Sequence, residues 1–174
     1  MTEGDRSNAG FNALNSAKAI ALLVPLALLA GAYGSQYLGG LVPCEMCYWQ
    51  RYGHWAAVAL ALGAILLSRL PDRGRSFVWL AALAILTSGG IAVYHAGVEA
   101  GVFQGVTQCT SMVSGTSTED LLRSVMNAPM VRCDEIQFQF LGISMAGWNA
   151  ILSIIAALVV GWLSFKRPRD LALA

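Results

Sequence analysis

Residues 39–51, Gly39-Gly40-Leu41-Val42-Pro43-Cys44-Glu45-Met46-Cys47-Tyr48-Trp49-Gln50-Arg51, end one apolar run and open another. Two glycines and a proline break a helix, so they predict a short loop. Cys44 and Cys47 then fall at the start of the following helix. Apolar sequence covers 17–38 on one side of this junction and 49–68 on the other. Two further runs, 77–98 and 143–165, are of the same kind. Each approaches the ~20 residues needed to cross ~30 Å of hydrocarbon. Of 174 residues, 56% are hydrophobic and only 12% charged, and the mean hydropathy is +0.59. A soluble domain of this length needs many more charges to coat its surface. The expected fold is an all-α membrane protein, a bundle of four transmembrane helices.

The net charge of +1 says less than its distribution. Arg6 and Lys18 flank the first run, Arg69, Arg73 and Arg75 fill the link between the second and third, and Lys166, Arg167 and Arg169 follow the fourth. These eight of the 11 basic residues lie on one side of the predicted bundle. The positive-inside rule makes that side cytoplasmic, with both termini. The loops at about 39–48 and 97–142, which hold all four cysteines, then face an oxidising compartment where disulfides persist. Ala30-Gly31-Ala32 resembles a signal-peptide cleavage site, but the apolar run is long and continues to Leu41, which reads as a retained span.

The predicted layout is a polar, irregular N-terminal tail (1–15), a membrane domain (16–166) and a C-terminal tail (167–174). Within the long outer loop, Ser117-Thr118-Glu119-Asp120 fits a helix start, and Leu121, Leu122, Val125 and Met126 share one face. Asn127-Ala128-Pro129 stops this short helix. It lies on the membrane surface or packs on its own loop. Gly97, Gly101 and Gly105 suit an irregular turn into the loop.

Cys-x-x-Cys spacing in a first helical turn brings two sulfurs near bonding distance. The helix N-terminus favours thiolate there. Arg51, one turn after Cys47, can stabilise that thiolate or a developing quinone oxyanion, or it can snorkel to the headgroups. Cys109 and Cys133, 24 positions apart, are a second redox pair or a structural staple contributing roughly 3 kcal/mol. Zinc is disfavoured because these two lack short spacing and no histidine is near either in sequence, so no metal is expected. His95, with Glu99 four residues on, is placed to polarise a ring carbonyl and relay a proton. His54 reads as an interfacial polar residue.

Pro43-Cys44-Glu45-Met46-Cys47 with Arg51, Tyr94-His95, Cys109, Cys133-Asp134-Glu135, Phe140-Leu141-Gly142 and Trp148 together resemble the DsbB family. Its members are inner-membrane thiol oxidases that recharge DsbA, a periplasmic thioredoxin-fold dithiol oxidase. The resemblance runs in order from about residue 15 to 165. It implies that Cys109 forms the mixed disulfide with DsbA and that Cys133 is its partner. Cys44 would exchange with this loop pair. Cys47 would meet a quinone (ubiquinone or menaquinone) as a thiolate adduct or charge-transfer contact, with Arg51 beside it and His95 near the pocket. The chain departs from the family at Gln50, where an acidic residue can occur, at Ala100 in place of an aromatic, and at Val106 in place of a proline. Two other readings remain open: a vitamin-K-epoxide-reductase-like quinone oxidoreductase, whose Cys-x-x-Cys opens a late helix, and a non-enzymatic scaffold with structural disulfides.

Overall fold

The computed structural model describes residues 3–69, 71–105, 117–119, 122, 126 and 132–166, with side chains from residue 12 onward. Four long helices make the body: α1 (Glu3–Tyr37), α2 (Glu45–Leu66), α3 (Arg75–Glu99) and α4 (Met145–Phe165). A two-residue hairpin, β1 (Gln139–Phe140) and β2 (Ile143–Ser144), precedes α4, with Gln139 opposite Ser144. At 1.5 Å per residue the shortest of the four, α4 with 21 residues, is about 32 Å long and matches the hydrocarbon thickness. Three helices are apolar enough to cross a membrane among the described residues: Asn12–Tyr37, Arg75–Glu99 and Met145–Phe165. Helix α2 has comparable length, 22 residues, but carries Gln50, Arg51 and His54 in its first half.

Packing is the reverse of a soluble bundle. Most buried side chains are small: Ala17, Ala21, Ala57, Ala61, Ala81 and Ala157 lie in one interior cluster, with Val78, Ile85 and Val160 among them. Large apolar residues point outward, including Leu83 (59% exposed), Leu158 (66%) and Trp162 (61%). In water that outer surface would be an aggregation face. In lipid it is ordinary, and small interior residues let helices approach closely. The helices follow chain order around the bundle, α2 between α1 and α3, with α4 closing the ring between α3 and α1. At Gly53 the α2 and α3 backbones approach so closely that an added Cβ would lie 2.9 Å from Cβ of Ser88. Gly53→Val is therefore expected to wedge these helices apart and destabilise the protein by about 1–3 kcal/mol, the usual effect of overpacking. A thermal melt in detergent unchanged from that of the parent protein would show that the contact is not tight.

The link between α2 and α3 is built around Asp72, whose carboxylate accepts from Gly74 N–H and from the backbone N–H and hydroxyl of Ser76. The hydrogen bond from the Ser76 hydroxyl is the largest cause holding this carboxyl below its ordinary pKa. Gly74 caps α3 in a left-handed conformation (φ 76°) where a side chain would strike Ala64 O. Arg75 reaches the Ser164 carbonyl, which brings the two basic segments to one end of the bundle. The start of α2 with Cys44 and Cys47, the end of α3 and the start of α4 lie at the other.

Several expectations change. Residues 3–15 are helical, so the predicted irregular tail is the first part of α1. Leu14 and Ala17 are buried, and from Asn12 to Ala17 no glycine or proline interrupts the chain, while Gly4 and Gly10 lie further upstream within the same helix. A helix already nucleated downstream extends easily through such sequence. The fourth helix starts at Met145, two residues later than the apolar run, because Ile143 and Ser144 pair in the hairpin. Its turn places Leu141 (φ 54°) and Gly142 (φ 76°) both left-handed, as a tight two-residue turn requires. Gly101 (φ 71°) ends α3 as the glycine spacing suggested. In the predicted loop helix, Thr118, Glu119, Leu122 and Met126 are helical, and the remainder lies outside the described residues.

Candidate functional site

Cys44 stands just before α2 with extended backbone (φ −76°, ψ 172°), and its sulfur accepts the Cys47 N–H at 3.3 Å. It occupies the capping position usually taken by Ser, Thr or Asp. The same turn brings Cys44 Sγ within 2.7 Å of Cys47 Sγ. The hydrogen bond with Cys47, and then burial, push the Cys44 thiol well above its ordinary pKa. Of the pair, Cys44 therefore retains the proton. Cys47, in the first turn of α2 and one turn from Arg51, is better placed to carry negative charge.

Arg51 does not snorkel. It is 6% exposed and turns inward, donating to Gln36 Oε1 and to the Ala32 carbonyl at 3.0 Å. Its guanidinium lies 4.7 Å from the Tyr33 ring centroid and 5.4 Å from that of Tyr48. The charge is thus held between α1 and α2 by a planar group that hydrogen-bonds at its edge while its faces meet aromatic rings.

Cys133 is fully buried and packs with Cys44 and Met46, bordered by Cys47 and Tyr94. The sulfurs of Cys44 and Cys133 and a ring nitrogen of His95 all lie within 4.8 Å of one another. A histidine therefore does approach Cys133, through the fold and not through the sequence. The segment carrying Cys133 is tied down by Gln137, which donates to the Val42 carbonyl at 2.7 Å. Ser144 caps α4 and donates to Glu99, fastening the end of α3 to the start of α4. Cys109, the fourth candidate residue, lies outside the described residues.

His95 is buried between these groups, with Nε2 3.6 Å from Cys44 Sγ and 3.8 Å from Glu99 Oε1. Its Nδ1 is 2.8 Å from Gln50 Nε2. From Gln50 a buried polar network continues to Asn149 (2.7 Å), then to His54 (2.8 Å) and Ser153 (2.8 Å). His54 is therefore interior, 3% exposed, and not the interfacial residue that its sequence position suggested. Gln50, Asn149, Ser88 and Ser153 had no motif to reveal them. The one available signal was several polar residues facing inward on otherwise apolar helices, which marks functional interiors in membrane proteins.

Cys44, Cys47, Arg51, His54, His95 and Glu99 all line one cavity of about 240 Å³. Its other wall is apolar, from Ala27, Leu28 and Leu41. A dithiol, a buried cation and an apolar wall suit a flat ring that receives electrons and carries oxygen atoms. The buried His54 Nδ1 has no partner among the described residues, which leaves room for a polar ligand atom.

A family model described as disulfide bond formation protein DsbB matches residues 15–163. A disulfide bond formation protein B of Chromobacterium violaceum is 30% identical over 166 residues, covering 90% of this chain and 98% of its own length. That of Acinetobacter baylyi is 29% identical over 153 residues, 83% of this chain and 89% of its own. An uncharacterized Rickettsia prowazekii protein is 26% identical over 149 residues, 84% and 85% of the two chains. No solved structure matches.

Proposed function

Because the chain belongs to the DsbB family of membrane disulfide bond formation proteins, we propose that it is a quinone-dependent thiol oxidase that recharges a DsbA-like, thioredoxin-fold periplasmic protein. The supporting observation is that Cys133 lies within 4.8 Å of Cys44, while Cys47 and Arg51 line the adjoining cavity. Electrons entering at the loop pair then have a direct covalent route to the helix pair.

Each protein step is thiol–disulfide exchange. The reduced partner's thiolate attacks Cys109 of a Cys109–Cys133 disulfide, and its second thiol releases the oxidised partner. The Cys133 thiolate next attacks Cys44, breaking the Cys44–Cys47 bond, and Cys47 leaves with the electron pair. Cys109 then attacks Cys133, re-forming the loop disulfide and releasing Cys44 as thiolate. Two electrons have moved from the loop to the helix pair. A quinone, when bound, supplies the lipid-soluble two-electron acceptor. Arg51 would hold it by a ring oxygen, and the apolar wall contributed by α1 would exclude water from its face.

In this reading all four helices span an inner membrane, with α2 the span whose polar face turns inward. Both ends are cytoplasmic, following the basic residues gathered opposite the cysteines. Cysteines introduced at Thr116 and Asp72 test the orientation: an impermeant thiol reagent should label the first from outside and the second only after permeabilisation. The reverse pattern would overturn the topology. Function is tested by supplying the purified protein with a reduced thioredoxin-fold partner and a quinone. Quinol should form in proportion to partner oxidised, and no quinol above the protein-free rate would refute the reading.

A further inference from the structure

The polar network has a definite direction, and that direction settles which nitrogen of His95 carries hydrogen. Gln50 Nε2 lies 3.2 Å from the Met46 carbonyl, which can only accept. The Gln50 atom facing it must be the NH₂ group, and this same nitrogen faces His95 Nδ1 at 2.8 Å. The remaining Gln50 atom, Oε1, accepts from Asn149 Nδ2, which fixes the amide from its other end. Asn149 Oδ1 accepts in turn from Ser153 and His54 Nε2. Ser88 donates its one hydrogen to the Gln50 carbonyl, so towards His54 Nε2, at 3.0 Å, it accepts. Every donor and acceptor agrees with one assignment. His95 Nδ1 is the acceptor, and Nε2 bears the hydrogen. The Cys44 sulfur and the Glu99 carboxylate lie beside Nε2, and the Cys133 backbone also accepts from the His95 ring, so every partner there is an acceptor.

We infer that Gln50, held by Asn149, is a positioning residue that locks His95 as the Nε2–H tautomer, so that His95 directs an N–H at Cys44 and stabilises its sulfur as the departing thiolate. This deepens the proposed relay and rests on it. The step served is the one in which Cys109 attacks Cys133, the Cys133–Cys44 bond breaks, and Cys44 leaves with the electron pair. No proton is transferred, since the N–H only shares its hydrogen with the growing charge. Cys44 is buried, where an unsolvated thiolate is costly, so a fixed donor matters more there than at a surface. A carboxylate at position 50 would do the opposite at Nδ1, accepting a hydrogen from it.

The titratable groups facing Cys44 are Cys47 on its own helix, Cys133 from the loop and His95 on α3, with Glu99 beside the same ring nitrogen. The test therefore uses the full chain with Cys47→Ser, Cys109→Ser and Cys133→Ser, leaving Cys44 as the only thiol. Titrating its thiolate by ultraviolet absorbance, His95→Phe should raise the Cys44 midpoint by about one pH unit. An unmoved midpoint overturns the inference. The second measurement needs no loss of a buried group: ¹⁵N-histidine NMR of the parent chain, assigned with His54→Asn. It should show hydrogen on Nε2 and none on Nδ1 of His95, and Gln50→Glu should place one on Nδ1. Hydrogen on Nδ1 in the parent chain, or none there in Gln50→Glu, refutes the tautomer lock. Both readouts use the resting protein without quinone or partner. If they hold while quinol formation fails, the oxidase reading alone falls. If they fail while quinol forms, only the roles of Gln50 and His95 fall.

Discussion

Cys133→Ala should lower steady-state oxidation of the thioredoxin-fold partner on the order of a thousandfold or more, because it removes one member of a relay that acts as a unit. It should also accumulate a disulfide-linked complex, formed when the free Cys109 thiolate attacks the disulfide of an oxidised partner and displaces one of its sulfurs. In the intact chain the Cys133 thiol can attack the bond between Cys109 and the partner and re-form the loop disulfide. Deleting that thiol leaves only the partner's second thiol to resolve the adduct, so it survives longer on a non-reducing gel. Cys133 is buried against Cys44, so the proposed route from loop to helix through this sulfur would give the loss a second cause. An adduct from Cys109→Ala and none from Cys133→Ala would mean that the two loop cysteines exchange roles.

Arg51→Ala should weaken apparent quinone affinity about tenfold to a hundredfold, the range expected on losing a hydrogen bond from a charged donor. One exchange with the partner should still proceed, because Cys133 and Cys44 do not depend on the guanidinium. Arg51→Lys should recover only part of the loss. An ammonium can replace the charge, but it cannot at once meet Gln36, the Ala32 carbonyl and the faces of Tyr33 and Tyr48. Quinone titrations of the three proteins at fixed partner concentration separate these outcomes. An unchanged affinity in Arg51→Ala would mean that the guanidinium serves only to join α1 to α2.

The helices were legible because crossing lipid demands length and apolarity, both of which are local properties of sequence. The Cys-x-x-Cys turn and Arg51 were legible for a similar reason, since their relation spans one helical turn. The inward aim of Arg51 was not, because it depends on Gln36 and Tyr33 from another helix. The meeting of Cys133 with Cys44 and His95 joins positions 38 to 89 residues apart, and no periodicity encodes it. His54 was misread because a histidine near a helix end looks the same in sequence whether it faces lipid headgroups or Asn149. The hairpin before α4 was missed because Ile143 and Ser144 extend an apolar run without a break. Only the paired left-handed residues Leu141 and Gly142, which turn β1 into β2, mark the hairpin there.

Cys44 has a second duty, which gives its chemistry a mechanical side. Its sulfur is also the acceptor that closes the first turn of α2. A thiolate accepts an N–H strongly, whereas a sulfur already bonded to another sulfur accepts weakly. Each time Cys44 departs as thiolate, the grip on the first turn of this helix therefore tightens, and protonation or reoxidation loosens it. Cys47 and the cavity wall ride on that same turn. Redox turnover is thus also a small cycle of winding and fraying, with the helix end stiffest while the departing sulfur carries charge and loosest when the disulfide has been restored.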